Sequence, residues 1–463
     1  MNMRTDLTTA PISKLIRQLA VPASIGFFFN TMYNVVDTYF GGLISTQTLA
    51  AMSLSFPVFF MIIAMSNGTA TGTTALIGTA LGAKNRGEAR IYAIQGITFG
   101  VLTGGILMLV GWYVSPAIFS LLGASENYLG ECVLYMNAIF AGSIFFVLIH
   151  VFNAMLNAQG DTKTFRNFLI VGFLLNIVLD PWFIYGGLGM PAMGIRGIAA
   201  ATVLIQIIGC GYVGRRACRT GLLAGGTMRE AIPRIQHFKE IARQSFPSSL
   251  NYMTIGLGIF VITYFLSQFG KEAVAAYGVA IRVEQIALLP TIGLNIATLS
   301  LVAQNYGAQR FDRIHETLKK SLQYGAVISM IGTIGVFWLG RYLIGVFTDD
   351  AQVIQIGSAY LKIDAFVLYA YVILFVNIAT LQGMKRPMFA LVIGMYRQIV
   401  APYLVFYLVT HIFDVGVVGI WWGIFIVTWS AAIITIFYAR RELKNTVFAV
   451  KTRRKEAGRN SVV

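Results

Sequence analysis

Charged side chains are scarce in this sequence: Asp, Glu, Lys and Arg make up 12% of its 463 residues, against roughly 25% in an ordinary soluble chain. That is too little charge to clothe a water-exposed surface of this size, which excludes a soluble globular enzyme. Cysteine is equally sparse. Cys132, Cys210 and Cys218 have neither metal-ligand spacing nor an even-numbered framework, so they indicate no zinc site and no disulfide scaffold. The chain has no GxxxxGK[ST] loop to bind ATP and neither HExxH nor GxSxG, so a primary pump or an intramembrane hydrolase lacks its usual marks.

What fills the chain is apolar: 57% of the residues are hydrophobic and the mean hydropathy is +0.71. Stretches of at least about 20 apolar residues recur, each long enough to cross a hydrocarbon core of about 30 Å as a helix. About twelve can be drawn, at 15–43, 47–75, 90–121, 128–158, 165–188, 195–215, 240–268, 273–303, 316–340, 355–382, 387–411 and 416–439. Several exceed the minimum, which predicts tilt or kinks. The first follows "MNMRTDLTTAPISK" and is too long for a signal-peptide core, so it reads as a retained helix.

A net charge of +16 raises the question of nucleic acid, and the placement of the charges answers it. Of 35 Lys and Arg, 29 fall at the N-terminus, after the even-numbered segments or in the C-terminal tail, all on one side of the predicted membrane. Arg196, Lys271, Arg341 and Lys362 lie on the other side, with Arg282 and Arg397 at membrane depth. The positive-inside rule then puts both termini in the cytoplasm. The tail "KTRRKEAGR" reads as an orientation and lipid-headgroup signal, with no nucleic acid implied.

The chain also repeats itself. With a shift of 225, Pro22 meets Pro247, Ala50-Ala51 meets Ala275-Ala276, and Gly82-Ala83 meets Gly307-Ala308. Gln159-Gly160 meets Gln382-Gly383 with a shift of 223, Pro181 meets Pro402, and "GIRGI" at 194–198 meets "GVVGI" at 416–420. Two halves of about six helices follow, 1–220 and 240–463, joined by a cytoplasmic linker at 221–239. Because six is even, both halves enter the membrane with the same polarity, as in transporters whose two bundles rock about a central cavity.

The repeat fails where acid is placed. The counterpart of Asp37 is Ile262, and those of Asn176 and Asp180 are Arg397 and Ala401. On the first segment Asn30, Tyr33, Asn34 and Asp37 fall at i, i+3, i+4 and i+7, one polar face. On the fifth, Asn176 and Asp180 are one turn apart with Pro181 next, which predicts a local break; on the sixth, Thr202 and Gln206 are one turn apart. Charge at membrane depth costs about 2.5–3.5 kcal/mol or more, so it marks function by default. Two carboxyls, carboxamides and a hydroxyl can share a proton or replace the hydration shell of a small cation such as Na+, and spacing does not separate the two. Interhelical hydrogen bonding is the other role open to Asn30, Asn34 and Gln206. His150 reads as an interior histidine, Arg282 and Glu284 as a local structural pair, and Asp364 as a near-surface partner of Lys362. Pro22 removes a backbone hydrogen bond about four turns before Asp37 and is a candidate hinge.

Taken with these features, "NIVLDPWFIYG", "GTALGAKNRGEA", "NAQGDTKT" and "MGIRGIAAATVLIQ" make the chain resemble the multidrug and toxic compound extrusion (MATE) family, closest to its DinF-like branch. The resemblance implies an all-α integral membrane protein with two six-helix bundles forming a V-shaped central cavity. It implies export of amphipathic, often cationic or polyaromatic compounds in exchange for inward H+ or Na+. The branch's first-lobe cation site maps onto Asp37, Asn176 and Asp180, and further onto Tyr135, Asn153 and Thr202. A substrate surface of Asn30, Tyr33, Asn34, Asp37, Asp180 and Gln206 is expected beside it. No acid falls at membrane depth on the seventh segment, leaving Asp364 as the remnant of a second-lobe site. Further expectations are a monomer in a bacterial or archaeal plasma membrane, no cofactor beyond the coupling ion, and small-molecule and lipid partners. A lipid-linked precursor flippase, which needs a basic cavity, and a receptor or scaffold without transport are the competing readings.

Overall fold

The computed structural model describes residues 6–121, 123–124, 126–187, 189–413 and 415–460, with backbone alone for 126–127, 228 and 449–460, so the side chains of the basic tail lie outside the described residues. The first half runs α1 (Ile12–Ile44), α2 (Thr46–Gly82), α3 (Arg86–Leu121), α4 (Glu126–Ala141), α5 (Ser143–Asn157), α6 (Lys163–Tyr185) and α7 (Ile195–Cys218). A short α8 (Met228–Ala231) leads to the second half: α9 (Ile235–Ser267), α10 (Lys271–Gly307), α11 (Phe311–Gly345), α12 (Ala351–Asp364), α13 (Leu368–Gly383), α14 (Met388–Met395), α15 (Ala401–Tyr407) and α16 (Val417–Asn460). Two π-helical turns, Tyr396–Val400 and Leu408–Ile412, flank α15 and join it with α14 into one span.

Ten helices among the described residues are long and apolar enough to cross a membrane, and the bent pairs α4–α5 and α12–α13, at 45° and 52°, bring the set to twelve. The kinks foreseen from segment length thus sit in the fourth and tenth spans. The break foreseen at Pro181 does not occur. α6 runs through it to Tyr185. A proline removes one backbone donor and crowds the preceding turn, and so near the end of the helix only four residues remain to be displaced. α9 begins at Ile235, ahead of the apolar run, because its polar first turns are held by the first half: the Tyr92 hydroxyl bonds Glu240, and His237 Nε2 lies 3.2 Å from Glu88.

Where the two halves meet follows from small residues. A Cβ added to Gly82 would fall on the Gln304 carbonyl, and one on Gly307 would fall on that of Thr79, so the C-terminal halves of α2 and α10 touch backbone to backbone. Gly68 and Gly72 similarly receive Ser249 and Ser245 of α9. Small residues at a lipid-embedded interface give this close approach its van der Waals contact. At the same end the start of α1 packs on the second half through Ile12, Leu15, Ile16 and Leu19 against Leu294, Ala297 and Leu301. Arg313 Nη2 and Asn305 Nδ2 there donate to the carbonyls of Ala10 and Leu7, at 2.6 and 3.2 Å.

Toward the other end the same helical stripes come apart. On α10 the stripe through Gly293, whose position abuts Ala20 and Ser24 of α1, continues to Gln285, Arg282, Gly278 and Ala275 by helical periodicity. Of these four, Arg282, Gly278, Ala275 and Gln285 are all exposed. On α1 the stripe through Ala20 and Ser24 continues to Asn34 and Thr38, also exposed. The two bundles therefore form a V, closed at the end bearing Gly82 and Gly307 and open at the end bearing Ile44 and Lys271.

Overpacking a tight contact costs about 1–3 kcal/mol, so Gly307→Leu should weaken the closed end. Spin labels at Ser53 and Gly278, across the open cleft, should report a shorter distance in this variant than in the wild type. An unchanged distribution would show that the glycines do not set which end is shut.

Candidate functional site

The first-half acids lie inside the wall of the V. α1 and α6 approach closely, a Cβ on Gly26 having only 3.1 Å to Leu169 Cδ1 and 3.2 Å to Arg166 Cα. Further along the same pair of helices, Asn176 Nδ2 donates to Asp37 Oδ1 at 2.8 Å. Asp180, one turn beyond Asn176, adds its carboxyl beside that of Asp37, with Thr202 of α7 and the Tyr33 and Tyr135 rings as neighbours. Asp37 is 7% exposed, and Asn176 and Asp180 are 0% exposed, so bulk solvent solvates none of the three.

Buried oxygens usually carry partners, and here most carry none. Both Asp180 oxygens, Asn176 Oδ1, Thr202 Oγ1 and the Tyr33 hydroxyl are buried without a hydrogen-bonding partner. An all-oxygen set with unused lone pairs suits a hard monovalent cation or a proton. Among the described residues no group of three or more His, Cys, Asp and Glu side chains is arranged to hold a metal ion.

The polar face read from the first segment divides. Asp37 turns into the bundle and Tyr33 buries its hydroxyl there. Asn30 and Asn34 are exposed on the cleft side, where Asn34 Nδ2 bonds the Asn30 carbonyl at 2.9 Å. Gln206 buries its Oε1, without a partner, one turn from Thr202. Asn153 of α5 sits lower, lining a narrow recess with Ala23, Gly26 and Phe27; Phe27 is ten residues from Asp37, about 15 Å along α1. Pro22 lies just below that recess within continuous helix. His150 is interior, its Nδ1 2.9 Å from the Phe146 carbonyl.

Two readings of the second half are corrected. Glu284 is not paired with Arg282: they are two residues apart on a helix, so their side chains diverge, Arg282 being exposed and Glu284 buried. Asp364 is not a surface partner of Lys362. It is 1% exposed, while Lys362 points outward. Glu284 accepts a hydrogen bond from the Tyr360 hydroxyl at 2.7 Å. Asp364, both of whose oxygens lack partners, stands beside it. Tyr277 and Trp421 pack on Tyr360, and the Arg397 guanidinium, on the first π-helical turn, lies 5.2 Å over the Tyr371 ring. Sequence reasoning named Asp364 as the remnant of a second-lobe site but missed its grouping with Glu284 and Tyr360, although Tyr360 and Asp364 show the same one-turn spacing as Asn176 and Asp180.

The MatE family model matches residues 22–182 and 247–408, one match in each half. A protein of Shewanella oneidensis called "FAD transporter" is 27% identical over 405 residues, 86% of this chain and 88% of that one. "Probable multidrug resistance protein NorM" of Thermotoga maritima is 26% identical over 461 residues, covering 96% of each. A solved structure of the outward-facing conformation of a multidrug resistance MATE family transporter of the MOP superfamily is 26% identical, with a TM-score of 0.89 over 95% of this chain and 98% of that one.

Removing one partner of a buried polar pair costs about 1–3 kcal/mol, and more when a charge is left behind. Asn176→Leu should therefore lower the melting temperature of the purified protein, and Asn176→Gln should lower it less. Equal melting of all three proteins would mean that the Asn176–Asp37 bond carries no stability.

Proposed function

This chain belongs to the MatE family, and we propose that it is a secondary active exporter whose inward flow of H+ or Na+ through the Asp37–Asp180 site drives amphipathic compounds out. The observation that carries this reading is the buried, under-bonded carboxyl pair in the wall of a cleft open at one end only. The multidrug names of relatives such as the Thermotoga protein support the cargo class. The positive-inside distribution supports a cytoplasmic placement of the closed end, with both termini, so that the cleft faces out.

The mechanism is competition. With the pair ionised, its negative charge favours a cationic or polarisable cargo on the adjoining cleft surface of Asn30, Asn34 and the Tyr33 ring. A proton or Na+ entering between Asp37 and Asp180, with Asn176 and Thr202 as further oxygen donors, cancels that charge. The cargo then loses its counter-ion and leaves to the outside. Export requires the two faces to differ in affinity, since a ligand shifts only the equilibrium between states that it binds unequally. One charge crossing 100 mV supplies about 2.3 kcal/mol, enough for more than tenfold accumulation at about 1.4 kcal/mol per decade. Pro22 is the flexible point at which α1 absorbs the rearrangement.

One observation favours a second cargo class. Arg282 stands exposed on the opposite wall of the cleft, a cation suited to a phosphate-bearing compound, and one relative is called a FAD transporter. Two basic side chains, Arg282 and Arg397, fall short of the basic cavity that a lipid-diphosphate flippase needs. Two-half symmetry with acid on one side has no use in a non-transporting receptor.

Proteoliposomes with an imposed pH or sodium gradient, offered a fluorescent organic cation or FAD, test the proposal. Uptake of the cation should follow one gradient and fall tenfold or more in Asp37→Asn and Asp180→Asn. Undiminished transport in both variants would end this account, whereas gradient-driven uptake of FAD alone would replace the cargo class.

A further inference from the structure

On the outer face of the second half, α11, α12 and α16 part to leave a cleft of about 470 Å³. It is walled by Phe337, Phe366, Trp422, Phe425 and Trp429, and one cation, Lys362, stands in it. The volume falls within the range of about 300–1,000 Å³ that holds small ligands. This is not the central cleft, whose walls are α1, α2, α9 and α10. Exposed Trp338, Tyr342 and Ile426 neighbour it on the same helices, so the opening faces the lipid.

Lys362 is the unusual member. It lies eleven residues into α12, about 16 Å along the helix, and Trp429 lies twelve residues into α16, about 18 Å. At that level an ammonium group must reach toward the interface or meet an anion. No described carboxylate comes within ion-pairing distance of it, for Asp364 is turned into the bundle. The Trp429 indole donates to the Phe366 carbonyl at 3.2 Å, across the break between α12 and α13, which fixes the ring as a wall.

The internal repeat serves as a control. With the shift of 222 that relates the last helix of each half, Trp422, Phe425 and Trp429 correspond to Ala200, Val203 and Ile207. With a shift of 223, Lys362 corresponds to Ile139. The first half thus builds the equivalent last helix without these three aromatic side chains and the equivalent bent span without the cation, so the fold itself does not require them, whereas Phe337 is matched by Trp112 with the shift of 225.

We propose that this cleft binds an anionic phospholipid of the leaflet beside the 346–350 loop, one acyl chain lying along the aromatic walls and the phosphate meeting Lys362. Charge complementarity selects the occupant. A zwitterionic lipid such as phosphatidylcholine would fill the apolar walls equally well, but its phosphate is already neutralised by its own ammonium and offers Lys362 no net negative charge.

Tryptophan fluorescence in bilayers carrying brominated lipid tests this, with brominated phosphatidylglycerol compared against brominated phosphatidylcholine. With the ammonium extended toward the interface, where a lysine is worth about 1 kcal/mol toward anionic lipid, the wild type should show about fivefold preferential quenching by phosphatidylglycerol. Lys362→Gln should bring the ratio to about one, and Lys362→Arg should keep it. Replacing both reporters, Trp422→Phe with Trp429→Phe, should abolish the anion-specific component. Equal quenching by both lipids in the wild type would overturn the proposal. So would an undiminished preference in Lys362→Gln, or an anion-specific component that survives loss of the two tryptophans.

Discussion

A carboxyl group taken out of water inside a lipid-embedded bundle has to be neutralised or held by other dipoles, and the first half of this protein is arranged around that requirement. Asp37 receives one hydrogen bond, from Asn176, and Asp180 receives none. A structural ion pair would have satisfied both acids within the protein. Instead, oxygens from α1, α6 and α7 converge with lone pairs left over, an arrangement that a small cation or a proton completes. The close packing of α1 on α6 at Gly26 sets the distance at which this occurs.

The two-fold repeat explains the frame, and its failures explain the chemistry. Equivalent glycines, Gly82 and Gly307, close one end of the V by letting backbones touch. Equivalent stripes of α2 and α10 diverge toward the other end and form the cleft. At the positions where the first half places Asp37, Asn176 and Asp180, the second places Ile262, Arg397 and Ala401. The second half has acids of its own, Glu284 and Asp364, but draws them from α10 and α12 and surrounds them with tyrosines and Arg397. The lobes are thus alike in backbone and different in electrostatics, and the cleft between them is polarised, with the Asp37 side against Arg282.

Most of the frame was legible in the sequence because lipid makes a simple demand: each span needs about 20 apolar residues, and each half shows six. Convergence of Asp37, Asn176 and Asp180 followed from the rarity of acid at membrane depth and from one-turn spacing. What periodicity did not resolve was which side of a helix meets which neighbour. Asn30 and Asn34 share a polar stripe with Asp37, yet the stripe is wide enough to straddle the cleft and the bundle interior. Glu284 and Asp364 were misjudged for a related reason. Arg282 and Lys362 lie two positions away along the chain, which reads as proximity but on a helix means nearly opposite faces. Pro181 was given more power to break a helix than it has within the last turn.

The central claim is that a cation at the Asp37–Asp180 pair and cargo in the cleft exclude one another. Equilibrium binding of a fluorescent organic cation to the purified protein, measured against pH and sodium concentration, tests it most directly. The account predicts that binding weakens as protons or Na+ are added, and that the double variant Asp37→Asn/Asp180→Asn binds with an affinity independent of both. A double variant that retained the wild-type dependence on pH or sodium would contradict it.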